Sequence, residues 1–350
     1  MPEALATHVQ IEPTTRCNFT CGFCCGRHMP QEDLAWETFE AALAALPDLA
    51  HVELQGEGES LLHPRFADMV DALRSRGVAV SFITNGSLLK PRVVEHLLDA
   101  GVHKISVSIE SADPTTFRDI RGGKLEKVEA NLEALMAERA RRGLERPVVG
   151  LSVTVLARTR DALGDILAFY RRLGLDGGVT LQPLQQMSSY AQHYDPQMQA
   201  QHLAPDEVER IWLAFFAHPE VRAIQAGRAP VDGFYEDLMA GWRPALRTCP
   251  YLERGLYVHR TGDVTPCCMV KDTAAHGLGR LGETPMDEIL TRRAALAATL
   301  AGGQVPAPCE GCELARFAVM SQLGLLRFGL KGAWQRWGTP RLRADGARSA

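Results

Sequence analysis

"HVQIEPTTRCNFTCGFCCGRH", residues 8–28, joins a short β-branched run to a loop carrying four cysteines and a histidine. Residues 8–12 read as a strand, so the cysteine run is a loop that follows a strand. The same grammar recurs downstream. Apolar or β-branched runs at 51–55, 78–84, 103–109, 148–155 and 178–182 read as strands, and helical patterns lie at about 36–46, 65–76, 88–100, 126–143 and 161–173. Gly77, Gly101, Gly143 and Gly174 stand where those helices should end. Strand-helix alternation with continuous apolar strands predicts an α/β fold, a parallel sheet with helices outside it. Six units are too few for a complete eight-fold barrel, which leaves a partial barrel or an open doubly wound sheet. In either, ligands gather at the carboxyl ends of the strands, the face that carries the cysteine loop.

The chain has 350 residues, 46% apolar and 23% charged, enough for one large core or a core with a small satellite. A net charge of -4 gives no reason to expect a nucleic-acid partner. No apolar run approaches the roughly 20 residues of a membrane span. The start, MPEALATHVQ, lacks the features of a secretory signal, and the chain reads as cytoplasmic. Nine cysteines fall at 17, 21, 24 and 25, then at 249, 267, 268, 309 and 312. Two tight clusters in a reducing compartment point to metal and not to a disulfide framework.

Cys17, Cys21 and Cys24 are spaced C-x3-C-x2-C, so one short loop can aim three thiolates at one centre. Thiolates select zinc, copper(I) or iron-sulfur clusters. A structural zinc ion takes four ligands, whereas a cubane held by three cysteines leaves one iron open. His28 would complete a closed zinc site, and that alternative stays open on this stretch alone. Cys25 fits no ligand spacing and reads as a buried free thiol. Glycine-rich or polar turns follow three successive strands: "LQGEGESLLHP" (54–64), "ITNGSLL" (83–89) and "SVSIESADPTTFRDIRGG" (106–123). Together they outline the wall of a small-molecule site.

The cysteine spacing, with Phe23 just before the third cysteine, resembles the radical S-adenosylmethionine (SAM) superfamily from about residue 8 to 185. The resemblance implies a partial (β/α)6, TIM-like barrel. It also implies a 4Fe-4S cluster on Cys17, Cys21 and Cys24 whose open iron is chelated by the methionine moiety of SAM. Gly58 and Glu59 match the Gly-Glu of the family's Gly-Gly-Glu-Pro turn, with Glu57 at the first Gly and Ser60 at the Pro. Thr84, Asn85 and Gly86 match a Thr-Asn-Gly turn. Ser108 and Glu110 match a Ser-x-Asp with Glu for Asp, and Arg121 matches an arginine that faces the methionine carboxylate.

In the second group, Cys249 is followed by 12 residues, Gly262, four residues and Cys267, then by Cys309 and Cys312 as C-x2-C. Four thiolates from a hairpin turning at 261–263 and a distant C-x2-C can close around one centre, a zinc ribbon on this pattern alone. Beside the barrel, the pattern resembles the SPASM auxiliary-cluster domain. Residues 313–350 carry no further cysteine, which resembles its shortened twitch form with one auxiliary 4Fe-4S cluster.

The resemblance implies an enzyme supplied with electrons by a flavodoxin- or ferredoxin-type donor. It would cleave SAM to a 5'-deoxyadenosyl radical that abstracts a substrate hydrogen atom. With the auxiliary cluster as electron acceptor, the expected outcome is a two-electron oxidation of a small molecule such as a sugar or aminocyclitol in secondary metabolism. Two alternatives remain: a maturase for a ribosomally made peptide, and a non-catalytic, zinc-stabilised binding protein. The loop at 183–195 offers Tyr190, His193, Tyr194 and Asp195 as candidate catalytic residues for the substrate proton. The start of the chain 16 residues before Cys17 is read as absence of a fused leader-binding domain, which favours a small molecule. The expected division is a core at 1–185, a helical connection at 186–245, an auxiliary-cluster domain at 246–315 and a basic tail at 316–350, read as a helix over the barrel with a frayed end.

Overall fold

The computed structural model of the chain describes residues 8–226 and 249–322. Most of the expected tail, residues 227–245 of the connecting segment and 246–248 of the expected auxiliary-cluster domain lie outside the described residues. Every expected strand is present: β1 His8–Ile11, β2 His51–Leu54, β3 Ala79–Thr84, β4 Lys104–Ser108, β5 Val148–Val155 and β6 Val179–Pro183. Between them run α1 Trp36–Ala45, α2 Phe66–Ser75, α3 Pro91–Asp99, α4 Pro114–Arg121, α5 Leu125–Arg141 and α6 Leu163–Arg172. One helix, α4, falls outside the expected pattern. Pro114 opens it, and Asp113 caps it by accepting from the Thr116 amide at 2.7 Å.

Strands β1 to β6 are parallel and pair strictly in chain order. A doubly wound sheet reverses direction at a switch point, and this one never does, so the winding is that of a partial barrel. At its other edge β1 takes β7 Gly255–Val258 as a parallel partner, in register from His8 opposite Gly255 to Ile11 opposite Val258. The antiparallel β8 Asp263–Thr265 and β9 Gly279–Arg280 follow, so the hairpin expected around Gly262 extends the barrel sheet to nine strands among the described residues.

The strands are not the continuous apolar runs that the sequence suggests. They alternate. Val9, Ile11, Val52, Leu54, Val80, Phe82, Ile105 and Val107 are fully buried and belong to the main hydrophobic core with helix residues such as Phe39, Met69 and Leu132. The intervening Gln10, Glu53 and Ser81 are polar and also buried, and Ser106 is half-buried, because a curved sheet has an inside as well as a covered outside. That inside is hydrogen-bonded. Gln10 Nε2 donates to Glu53 Oε2 at 2.8 Å, the His8 and His51 rings meet Nδ1 to Nδ1 at 2.6 Å, and His51 Nε2 lies 2.9 Å from Ser81 Oγ.

Candidate active site

The loop after β1 is pinned to its neighbours by backbone contacts that leave no room for side chains. A Cβ on Gly58 would stand 2.4 Å from the Thr14 carbonyl oxygen and 2.6 Å from that of Arg16, so only glycine lets the turn after β2 lie against the cysteine loop. The Glu59 amide donates to the Arg16 carbonyl at 2.8 Å, and the Thr20 amide to the Arg121 carbonyl at 2.9 Å. Asn85 Nδ2 donates to Asn18 Oδ1 at 2.9 Å and lies 3.9 Å from Cys17 Sγ.

These contacts bring the expected residues together. Cys17, Cys21, Cys24, Phe23, Gly58, Glu59, Thr84, Asn85, Ser108 and Arg121 all line one cavity of about 300 Å³. Gly86 completes the turn after β3, with φ +76°, and its amide donates to Thr84 Oγ1 at 3.0 Å. Glu59 is committed within the protein: Oε1 accepts from Thr84 Oγ1 and Oε2 from the Asn85 amide, each at 2.6 Å. Burial pushes its carboxyl upward despite those donors. Glu110 and Arg121 pair with each other in a buried two-pronged contact, with Nη2 to Oε1 at 2.6 Å, and Glu110 does not line the cavity. The free prong of Arg121, Nη1, lies 3.7 Å from Cys21 Sγ.

The same cavity reaches the second cysteine group. Cys249, Cys267, Cys309 and Cys312 line it, and Cys268, which fits no ligand spacing, does so too. Cys25 is buried but off the cavity.

Both cysteine sets fit iron-sulfur clusters. The thiols of the first loop have only long contacts within the protein, from 3.4 Å for Phe19 N on Cys17 to 4.0 Å for Cys21 Sγ on the Arg121 carbonyl, so none is consumed by a strong hydrogen bond. Burial raises the pKa of Cys21 to about 11 and of Cys249 to about 12, a cost that bound iron removes by standing in for the proton. Among the described residues no three His, Cys, Asp or Glu side chains converge closely enough for a single metal ion.

Of the candidate catalytic residues, Tyr190 and Tyr194 line the cavity and are buried. His193 and Asp195, the other two candidates, do not line it. His193 stacks on His28 with ring centroids 4.2 Å apart, and Asp195 caps the helix Pro196–Gln199 by accepting from the Met198 amide at 2.7 Å. The loop's one-turn helix, Ser188–Ala191, carries Tyr190 as its buried residue.

Sequence reasoning missed a buried network on the other wall. Glu57 Oε1 accepts from Tyr190 Oη at 2.6 Å and from Lys271 Nζ at 2.8 Å, and Lys271 also reaches Tyr257 Oη at 3.4 Å. Tyr257 donates to Glu12 Oε1 at 2.9 Å. Burial alone would raise the Glu57 carboxyl, but Lys271 and the hydrogen bonds outweigh it and hold it below its ordinary value. The one signal of this network in the sequence is the carboxylate at position 57, where a glycine was expected.

Comparison with known proteins agrees with this geometry. The radical SAM superfamily is matched over residues 11–169, and an iron-sulfur cluster-binding domain, SPASM, over residues 249–313. A tungsten-containing aldehyde ferredoxin oxidoreductase cofactor-modifying protein of Pyrococcus furiosus is 29% identical over 175 residues, 48% of this chain and 49% of that protein. A GTP 3',8-cyclase of Rhizobium etli is 31% identical over 182 residues, 49% of this chain and 50% of that protein. The chain thus spans about half the length of the curated relatives it matches. Among solved structures, Streptococcus suis SuiB bound to its precursor peptide SuiA superposes with a TM-score of 0.63 at 13% identity, over 90% of this chain and 71% of that one, a likeness of fold. The chain thus carries a radical SAM domain over residues 11–169 and joins it to a C-terminal SPASM domain for an auxiliary cluster.

Proposed function

We propose that the protein is a radical SAM oxidoreductase that removes two electrons from a small, hydroxyl-bearing molecule held inside the barrel. Cys17, Cys21 and Cys24 would hold the SAM-binding 4Fe-4S cluster, and Cys249, Cys267, Cys309 and Cys312 the auxiliary one. When bound, these groups supply hydrogen-atom abstraction from an unactivated carbon and a nearby electron acceptor. An external one-electron donor completes the cycle, and the reaction belongs in the cytoplasm. The expected division of the chain, with the core ending near 185 and the auxiliary-cluster domain at 246–315, is kept as part of this proposal.

The observation that carries the substrate class is the inward face of the barrel. Ser106, Ser108, Ser152, Thr154, Thr180 and Gln182 line the cavity between the two cysteine groups. Ser108, Ser152 and Thr180 share one register row, and Thr154 and Gln182 the next, where Gln182 Nε2 donates to Thr154 Oγ1 at 3.1 Å. A wall of hydroxyls and amides rewards a polyhydroxylated ligand and penalises an apolar one, which would leave those groups unpaired. Phe23 and the Glu110-paired Arg121 shape the end nearest the first cysteine loop. Tyr190 Oη lines the cavity and would relay the substrate proton, passing its own proton to Glu57 Oε1 as it takes up the substrate's.

The test is anaerobic reconstitution with SAM and dithionite. The protein should release 5'-deoxyadenosine, and a C17A/C21A/C24A variant should not. Offered a panel of deuterated sugars and aminocyclitols, the active enzyme should move deuterium into 5'-deoxyadenosine from one of them and form the corresponding ketone. Deuterium transfer from a peptide alone would replace this reading with that of a peptide maturase.

A further inference from the structure

Position 57 is one of two places where this chain departs from the radical SAM turn after β2, and the structure gives that departure a partner. Glu57 is bonded on one oxygen to Lys271 and Tyr190, and its other oxygen, Oε2, lies 3.4 Å from Cys24 Sγ. The ion pair is withdrawn from solvent, with 12% of the Glu57 side chain and 6% of the Lys271 side chain exposed. Lys271 also lies over the Tyr257 ring, 4.7 Å from its centroid. Nothing intervenes between the carboxylate and the cysteine loop. A Cβ on Gly26 would meet Glu57 Cβ at 2.5 Å and Cys24 Sγ at 3.2 Å. Lys271 stands four residues beyond Cys267, so the C-terminal domain delivers this cation to the first cysteine loop.

We propose that Glu57 and Lys271 act as positioning residues that set the reduction potential of the cluster assigned to Cys17, Cys21 and Cys24, the lysine offsetting a carboxylate charge that opposes adding an electron. The inference rests on the cluster assignment made above. Net charge and hydrogen bonding around the sulfurs tune such potentials, and a buried charge in contact with a ligand thiolate is poorly screened by solvent. Glu57 without its lysine would be an uncompensated buried anion beside the centre that must accept an electron. With it, the charges of the pair cancel, and the barrel cluster is tuned by a residue of the other domain.

The experiment is an EPR-monitored redox titration of the full-length, reconstituted protein, following the signal that changes when SAM is added, with iron and sulfide measured in every sample. K271M should move that midpoint to a more negative potential and E57Q to a more positive one. The E57Q/K271M double variant and the charge-conserving K271R should stay near the wild type. Should K271M fail to hold its clusters, E57Q and K271R decide: a positive shift in E57Q with none in K271R sustains the proposal. An unmoved midpoint in E57Q, or shifts of the same sign in E57Q and K271M, overturns it. Wild-type protein lacking acid-labile sulfide would overturn the cluster assignment itself, a separate failure.

Discussion

Arg121 and Glu110 show how the same residues carry structure and chemistry at once. Both were expected to meet the cofactor directly, yet they spend most of their donors and acceptors on each other, and one guanidinium nitrogen is left beside Cys21. Removing one partner of a buried pair strands the other charge. E110A should therefore lower stability by about 3–5 kcal/mol, read from the denaturation midpoint of anaerobically purified protein. E110M/R121M should recover most of that loss, because two apolar groups of similar volume replace the pair. A double variant as unstable as E110A would show that Arg121 is held by something other than Glu110. Spacing and residue type made Arg121 legible as a cavity residue. The pairing was not legible, since it depends on α4 closing back on the end of β4, a helix the periodicity did not announce.

At the scale of an element, the β7–β8 hairpin ties the C-terminal domain to the barrel through β1, and it buries a histidine in doing so. His259 is hydrogen-bonded to Thr265 Oγ1 at 2.9 Å and stands edge-on to Tyr257. Burial first, then the nearby Lys271 and Arg260, lower its pKa to about 3. Above pH 6.5 the ring is neutral in both the folded and unfolded chain and contributes no pH dependence. Below that value the unfolded chain takes up a proton that the folded one refuses, so stability falls with falling pH, by about 1.4 kcal/mol per unit from this group, until the folded pKa is reached. His8, also held low by burial and by His51, adds to the same trend. Denaturation measured from pH 7 to pH 5 should show a shallower slope for H259Q than for the wild type, by close to one proton. Equal slopes would place the titration elsewhere. The hairpin itself was readable from its turn, and Gly262 adopts φ +86° as such a turn requires. That its first strand would pair with β1 was not readable, because pairing between residues about 247 positions apart leaves no local trace.

At the scale of the whole molecule, the consequence of a shared sheet is a shared cavity, with both cysteine groups opening on it. The two groups should then be separable in function. The wild type should carry about eight irons per chain and a C309A/C312A variant about four. That variant should still release 5'-deoxyadenosine, while the oxidised product falls at least about tenfold because its electron acceptor is gone. Loss of deoxyadenosine release in step with product would show that the second group supports the barrel cluster and not the electron's exit. The sequence by itself determined the winding elements and the seven cysteines at ligand spacing, since strand and helix periods and C-x3-C-x2-C spacing are properties of neighbours along the chain. It also carried the polar side of each strand, although a run such as KISVS reads as apolar until the sheet curves and gives its serines an interior. Tertiary structure alone decided the rest. It chose a partial barrel over a doubly wound sheet, turned Tyr190 inward and His193 outward, and brought Glu57 against Lys271, because each depends on contacts between segments whose separation in sequence carries no information about their distance in space.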